Sequence, residues 1–400
     1  MKILHTSDLH IGKIVNEFSM IEDQRHILKQ IEKIIEEENI DVLMIAGDIY
    51  DRSIPPVEAV ELLNNFLSNL TLNKEVKVLA IAGNHDGGER LCFGNQILEK
   101  QGLHIVGRDE EIYQKISLEH ENDKYNFYLI PYKDPAVIKK LKDDSTIKNH
   151  NDAMKATINM IEESFDKDEI NILISHGYMT MKREKALDFE ENIYEKAELE
   201  ISESERPLSI GGTDLIDAQM FQIFDYVALG HLHGRQQVGI EKIRYSGSPL
   251  KYSFSEVNHK KGVYILDLNK EKLNLEFKEL KAIRDMRVVR GNIEEILEKG
   301  RNDKSKEDYI QAILIGEGEI INPIEKLRTV YPNIMMITRE RKNSNFNQKF
   351  ESQRELRKKD KLELFEEFYN NFGQGEYSEE KKSILSEILS KTLKKEAVNS

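Results

Sequence analysis

The chain has 400 residues, 39% hydrophobic and 32% charged; this exceeds one ordinary core, so two or three globular domains are expected and a disordered chain is excluded. Cys92 is the only cysteine, which excludes a disulfide framework and a cysteine zinc site; with no signal-like N-terminus and no run of about 18 apolar residues, a cytoplasmic, membrane-free protein is expected. The net charge of -14 lowers the expectation of a nucleic-acid partner, yet residues 277–343 hold 14 basic against 12 acidic residues, so the acidity sits mostly elsewhere.

The first hundred residues alternate strand and helix. A short buried strand is expected over 2–7. An amphipathic helix follows over 22–38, with Ile27, Leu28, Ile31, Ile34 and Ile35 on one face. The continuous apolar run 42–46 predicts a buried strand, Pro55-Pro56 opens a helix, and 76–82 predicts a third buried strand. This rhythm implies parallel strands with right-handed crossovers. Strands are then predicted over 103–106, 112–117 and 125–130, a helix near 151–165, and a strand over 170–175. Short strands dominate after that, over 225–229, 242–245, 262–267 and 272–278. The mixture fits a pair of mixed sheets flanked by helices better than one open parallel sheet. From about 280 the pattern strand 286–290, helix 292–299, strand 309–316, helix 322–330, strand 334–339 predicts a small α/β domain. Residues 340–352 read as a polar linker, and 353–395 as two helices broken at Gly373-Gln374-Gly375.

Five clusters carry the chemistry: D-L-H at 8–10, G-D-I-Y-D at 47–51, G-N-H-D at 83–86, S-H-G at 175–177 and G-H-L-H at 230–233. Each follows an apolar strand, so each is placed where a strand gives way to a loop, the edge at which α/β proteins bind ligands. Five of the 11 histidines lie in them (His10, His85, His176, His231 and His233). Carboxylate, imidazole and amide oxygen form a mixed ligand set that suits Mn²⁺, Fe or Zn²⁺ rather than Ca²⁺. Asp8, His10, Asp48, Asn84, His176, His231 and His233 are too many for one ion, whereas two ions sharing a carboxylate would use them all. A lone D-x-H triplet arises by chance; five clusters in this order and context do not. His5, His26, His104, His120, His150 and His259 have no motif partners and read as surface or ordinary core residues.

These clusters resemble those of the calcineurin-like metallophosphoesterases. The stretches A-G-D-I-Y-D-R-S-I-P-P at 46–56, G-N-H-D-G-G-E-R-L at 83–91 and Y-S-G-S-P-L-K-Y-S-F-S-E at 245–256 resemble, more closely, the bacterial SbcD family of nuclease subunits. The resemblance spans the chain, with its specific motifs in the N-terminal part. It implies a metallophosphoesterase β-sandwich flanked by helices over 1–278, a small α/β capping domain over 279–340 that places DNA, a linker over 341–352, and a helical segment over 353–400 that docks a partner. It implies two divalent ions, with Mn²⁺ the family's usual ion. Asp8, His10, Asp48 and His233 would hold one; Asp48, Asn84, His176 and His231 the other. His85 would act on the phosphate as a proton donor or transition-state stabiliser, and Asp86 would orient His85. The implied reaction is phosphodiester cleavage of DNA by metal-activated water, as a 3′–5′ double-strand exonuclease and a single-strand or hairpin endonuclease. Some archaeal relatives place a second catalytic histidine three residues after the bridging aspartate; here Asp51 stands there.

No G-x-x-x-x-G-K-[ST] motif is present; the resemblance implies that ATP is bound by a partner, an SMC-like SbcC ATPase, with two copies of each chain in the complex, nucleoid-associated when on DNA. The stripes Phe365, Phe368, Tyr369, Phe372 and Ile384, Leu385, Ile388, Leu389 suit such docking or packing within the chain. Arg284, Arg287 and Arg290, and Lys182, Arg183 and Lys185, are phosphate-contact candidates or solvated surface. Leu62, Leu63 and Phe66 are candidates for a homodimer face or for ordinary core. A phosphoesterase for small molecules or proteins is the alternative, and a scaffold without chemistry a third reading. The extra segments after the catalytic domain favour the nuclease, and the intact ligand set disfavours the scaffold.

Overall fold

The parallel strands expected near the N-terminus form the centre of a six-stranded sheet. In the computed structural model, which describes residues 1–181, 199–205, 208, 214–316, 321–340 and 381–382, the strand order is Leu273–Glu279, Gly262–Leu268, Lys2–Thr6, Val42–Ala46, Lys77–Ile81, Leu103–Val106. The last four are parallel; Gly262–Leu268 runs antiparallel to Lys2–Thr6 and closes the sheet with Leu273–Glu279. A second six-stranded sheet has the order Gln236–Gln237, Ile243–Tyr245, Tyr226–Gly230, Ile170–His176, Asp123–Ile130, Gln114–His120. Its central strands are also parallel, with Gly230 beside His176 at their ends.

The two sheets stack. Ile3, Met44, Leu79 and Ile81 of the first pack in one cluster with Phe127, Leu129, Ile172, Ile174 and Ala228 of the second. Burial on both faces explains why Val42–Ala46 and Ile170–His176 read as unbroken apolar runs rather than alternating ones. The helices Ile21–Glu38 and Val57–Ser68 cover the outer face of the first sheet; Ile27, Leu28, Ile31 and Ile35 of the first helix are buried, as its periodicity predicts. Leu62, Leu63 and Phe66 belong to that same core, so they offer no exposed dimer face.

The third sheet is parallel, Met286–Gly291, Tyr309–Ile315, Ile334–Glu340, with the helices Ile293–Arg301 and Pro323–Arg328 between its strands. Asn292 caps the first of these helices, its side chain accepting from the Glu295 N–H while Glu295 reaches back to the Asn292 N–H. The three arginines expected here as phosphate-contact candidates, Arg284, Arg287 and Arg290, each pair with carboxylates. Arg284 grips the fully buried Asp23 at 3.2 and 2.6 Å, Arg287 pairs with Asp303 and Asp308, and Arg290 pairs with Glu340. Their acidic partners are distant in sequence or fall on other elements, which spacing along the chain does not reveal.

The helix Pro135–Lys142 and the parallel pair Tyr178–Thr180 and Leu215–Asp217 are additions that the residue pattern alone does not announce. The chain divides into the units Met1–Arg341 and Lys342–Ser400. The expected linker, the C-terminal aromatic and aliphatic stripes, and Lys182, Arg183 and Lys185 lie outside the described residues. Among the described residues, no helix is long and apolar enough to cross a membrane.

Candidate metal centre

All five clusters meet at one end of the sandwich. Asp8 and His10 follow Lys2–Thr6, Asp48 follows Val42–Ala46, and Asn84, His85 and Asp86 follow Lys77–Ile81 in the first sheet. His176 ends Ile170–His176, and His231 and His233 follow Tyr226–Gly230 in the second. Four of these residues stand on backbone of positive φ: Asp8 (52°), His10 (44°), Asp48 (49°) and His231 (105°). Asp and His tolerate that region better than most side chains, and such strain persists only where surrounding structure holds it. Here the Asp8 N–H donates to the Gly47 carbonyl and the His10 N–H to the Asp48 carbonyl, each at 3.0 Å, which lashes the first two loops together. Gly230 admits that closeness, since a Cβ there would overlap the Ala46 carbonyl oxygen and crowd His176 Nδ1.

The donor atoms form interlocked groups. Asp8, His10 and His233 lie within mutual ligating reach, as do Asp48, His176 and His231. Asp48 Oδ2 is 3.5 Å from His176 Nε2 and 3.7 Å from His10 Nε2, so it lies between the two groups. Asn84 Oδ1 stands 3.0 Å from both His176 Nε2 and His231 Nδ1. The His10 and His233 Nε2 atoms are 3.1 Å apart. His10, Asp48, His176, His231 and His233 are almost wholly buried, and Asp8 is wholly so.

Burial of so many polar groups has electrostatic consequences. Burial pushes His10, His231 and His233 down, so these rings are neutral and offer lone pairs. Burial would raise Asp48, but His176, His10 and His85 outweigh it and hold its carboxyl well below the usual range. For His176 burial is outweighed by Asp48, which lifts the ring to about 9. Burial, opposed by His176 and reinforced by Asp48, pushes Asp8 up to about 7. His176 Nδ1 lies 2.8 Å from the Ala46 carbonyl, which it can only donate to, so as a ligand the ring would present Nε2, 3.0 Å from Asn84 Oδ1, to a cation. His10 Nδ1 and His231 Nε2 are buried without a hydrogen-bond partner. Neutral imidazoles, two buried carboxylates and an amide oxygen brought close together form a donor set suited to divalent cations; Asp8, His10, Asp48 and His233 would surround one and Asp48, Asn84, His176 and His231 another.

His85 lies at the rim. Its N–H donates to Asp48 Oδ1 at 2.9 Å, its ring Nδ1 meets the Asp51 carbonyl at 2.9 Å, and its Nε2 is 4.0 Å from Asp48 Oδ2. The contact that orients His85 is therefore the Asp51 backbone rather than the Asp86 carboxylate. Asp86 instead accepts three backbone N–H groups, from Ile49 (3.1 Å), Tyr50 (2.8 Å) and Gly83 (2.9 Å), and so ties the second loop to the third. Its position immediately after His85 does not distinguish those two roles. The Asp51 side chain pairs with Lys13 at 2.7 Å and stands 3.6 Å from His10 Nδ1. Ser204, Glu205, Glu256 and Lys261 also support the centre through hydrogen bonds to or behind His233. Of these only Glu256 falls in one of the sequence motifs, at its last position, and nothing in the motif marks it as a support. His5, also without a motif, is a satisfied core residue between the Tyr226 hydroxyl and the Leu229 carbonyl.

Comparison with known proteins agrees with this geometry. The family model for calcineurin-like phosphoesterases matches residues 1–235, and SbcD_C, described as a type 5 capsule protein repressor C-terminal domain, matches 282–371. The D subunit of the SbcCD nuclease of Staphylococcus epidermidis is 35% identical over 399 residues, covering 99% of this chain and 100% of that protein. A solved structure, TT1561 of Thermus thermophilus, matches 69% of this chain and 98% of its own at 11% identity, with a TM-score of 0.37. The chain belongs to the calcineurin-like phosphoesterases and, within them, to the family of SbcCD nuclease D subunits.

Proposed function

We propose that this protein is a metal-dependent nuclease that hydrolyses DNA phosphodiester bonds together with an SbcC-type ATPase. The observation that carries the reading is the convergence of seven donor side chains from five strand ends, with Asp48 between their two groups and His85 beside them at the rim. Divalent ions held there supply water activation and charge neutralisation at a phosphodiester. The protein's own part is positional. The Asp51 carbonyl fixes the His85 ring with Nδ1 as its donor, and the opposite edge is then available to the phosphate or its leaving oxygen. Asp86 holds the two loops that set the distance between Asp48 and His85.

Mn²⁺ is the proposed working ion, and a two-plus-two assembly with the ATPase the proposed form. The face proposed for homodimerisation is the exposed side of the second helix and its approach, Ile54, Val57 and Val60, with Phe93 and Ile97. Supporting this, these are large apolar side chains left in water, and Arg90 ties their two segments through the Ser53 carbonyl. The test is cleavage of a labelled DNA hairpin, alone and with the ATPase partner, in Mn²⁺, Mg²⁺ or EDTA, beside His85→Ala and with bis-p-nitrophenyl phosphate as a small ester. Mn²⁺-dependent DNA cutting that His85→Ala loses by about a hundredfold or more, while still taking up two metals, is expected. Hydrolysis of the small ester with DNA left intact in every mixture would replace the nuclease with a small-substrate phosphoesterase.

A further inference from the structure

Behind His233, on the side away from His10, lies a cluster of charges with almost no access to water. Glu256 is fully buried and Lys261 nearly so, and their charges meet at 2.6 Å. Unpaired, either would cost several kcal/mol to bury, so a fold keeps such a pair only with every remaining hydrogen-bonding position used. Here they are used, and largely on one residue. Lys261 Nζ donates to the His233 carbonyl at 2.8 Å and to Ser248 Oγ at 2.8 Å. Glu256 Oε1 accepts from Ser204 Oγ at 2.6 Å and Ser202 Oγ at 2.8 Å, and lies 3.3 Å from His233 Nδ1. Ser204 Oγ is itself 2.7 Å from His233 Nδ1. The His233 N–H donates to Glu205 Oε1 at 2.5 Å.

The acceptors around Ser204 point to which nitrogen of the imidazole carries the proton. A serine hydroxyl has one proton; Ser204 Oγ lies 2.5 Å from Ser202 Oγ and 2.6 Å from Glu256 Oε1, and the anionic carboxylate is the stronger acceptor for it. Ser204 Oγ can then only accept from His233, so Nδ1 is the ring's donor. Its Nε2 is left with a bare lone pair, 3.1 Å from His10 Nε2.

We infer that Glu256, acting through Ser204 and locked by Lys261, is a positioning residue that holds His233 in its Nδ1–H tautomer with Nε2 presented to a divalent cation. The role rests on the reading of His233 as a metal ligand. It uses residues from two stretches, 202–205 and 256–261, that flank no ligand in sequence. A carboxylate behind a ligating imidazole raises its basicity and fixes its angle, and loss of such a partner typically weakens metal binding about 10–100-fold. Lys261 contributes differently. Its Nζ meets Glu256 Oε2 at 2.6 Å while holding the His233 carbonyl and Ser248 Oγ, and so fixes the carboxylate in the place from which it draws on Ser204.

The experiment is Mn²⁺ titration of the full-length protein by calorimetry and by electron paramagnetic resonance, for the native chain, Glu256→Gln and Ser204→Ala, with circular dichroism to check folding. The native chain should take up two ions. Glu256→Gln should weaken one of them about 10–100-fold and leave the other, and Ser204→Ala, which spares the buried ion pair, should weaken the same ion less. Should Glu256→Gln fail to fold, Ser204→Ala and the ¹⁵N chemical shifts of the His233 ring in the metal-free native protein decide the matter. An Nδ1–H tautomer there supports the assignment and an Nε2–H tautomer overturns it. Native affinity for both ions in the folded variants also overturns it, while leaving the proposed nuclease untouched. A native chain whose ion uptake responds to Glu256 as expected but which cuts no DNA would instead remove the nuclease reading and keep the role of Glu256.

Discussion

Asp86 shows how little a motif says about what a side chain holds. In sequence it follows His85, and adjacency alone points to that neighbour as its client. In space its carboxylate gathers three N–H groups from two loops, Ile49 and Tyr50 on one side and Gly83 on the other. Burial, with Asp48 nearby, raises its carboxyl to about 6 against the pull of those donors. Replacement by alanine orphans all three amides, each worth about 1–3 kcal/mol when left unsatisfied. Asp86→Ala should therefore lower unfolding stability by about 3 kcal/mol or more in urea titrations, and should depress Mn²⁺ uptake along with activity. If Asp86 only oriented His85, activity would fall with stability and metal content unchanged.

At the scale of one element, the helix Ile21–Glu38 does more than cover a sheet. Its first turn carries two adjacent buried residues with different clients. Gln24 donates to the His10 carbonyl at 2.7 Å and accepts from the Gly12 N–H at 2.9 Å, steadying the loop of the first metal group. Asp23 accepts the guanidinium of Arg284 and the Tyr309 hydroxyl at 2.8 Å, fastening the small three-stranded domain. Arg284→Ala would leave the fully buried Asp23 with only a phenol for company. The expected cost is about 3 kcal/mol, near the lower bound for breaking a buried pair because Arg284 is itself partly in water. Arg284→Lys should recover only part of that, since an ammonium cannot reproduce the forked contact. Urea denaturation of the three proteins checks both statements. Equal stability of Arg284→Ala and the native chain would mean the pair is dispensable.

For the whole molecule, the decisive fact is that the metal donors come from both sheets. Asp8, His10, Asp48 and Asn84 belong to the first; His176, His231 and His233 belong to the second. Apolar packing holds the sheets together below, with Phe127 and Tyr226 fully buried between them. At the donor end the centre is polar, with the Asp8 and Asp48 carboxylates buried among the imidazoles. Cations bound there would join the two sheets and would bind the folded chain alone. Mn²⁺ at about a hundred times its dissociation constant should stabilise the fold by about 2.7 kcal/mol, and EDTA should remove that gain. Differential scanning calorimetry should show the melting temperature rising with Mn²⁺ across a titration. A melting temperature indifferent to Mn²⁺ would mean the donors do not hold metal in the folded state.

Much of this is legible in the residues alone. Apolar runs bounded by Gly-Asp, Gly-Asn-His and Ser-His-Gly mark both the buried strands and the loops that end them, because parallel strands are covered on both faces and functional loops follow their ends. The small domain can be drawn almost whole from its alternating pattern, for there local periodicity and tertiary packing agree. What the linear chain leaves open is which charges meet. Arg284 stands 261 residues from Asp23, and Ser204 is 52 residues from Glu256. Pairing at such separation is decided by sheet stacking and crossover geometry, which carry no short-range pattern. Composition and periodicity thus determined that donors would gather at strand ends; only the closing of two sheets decided which atoms face one another, which ring nitrogen carries the proton, and which side chains hold the donors from behind.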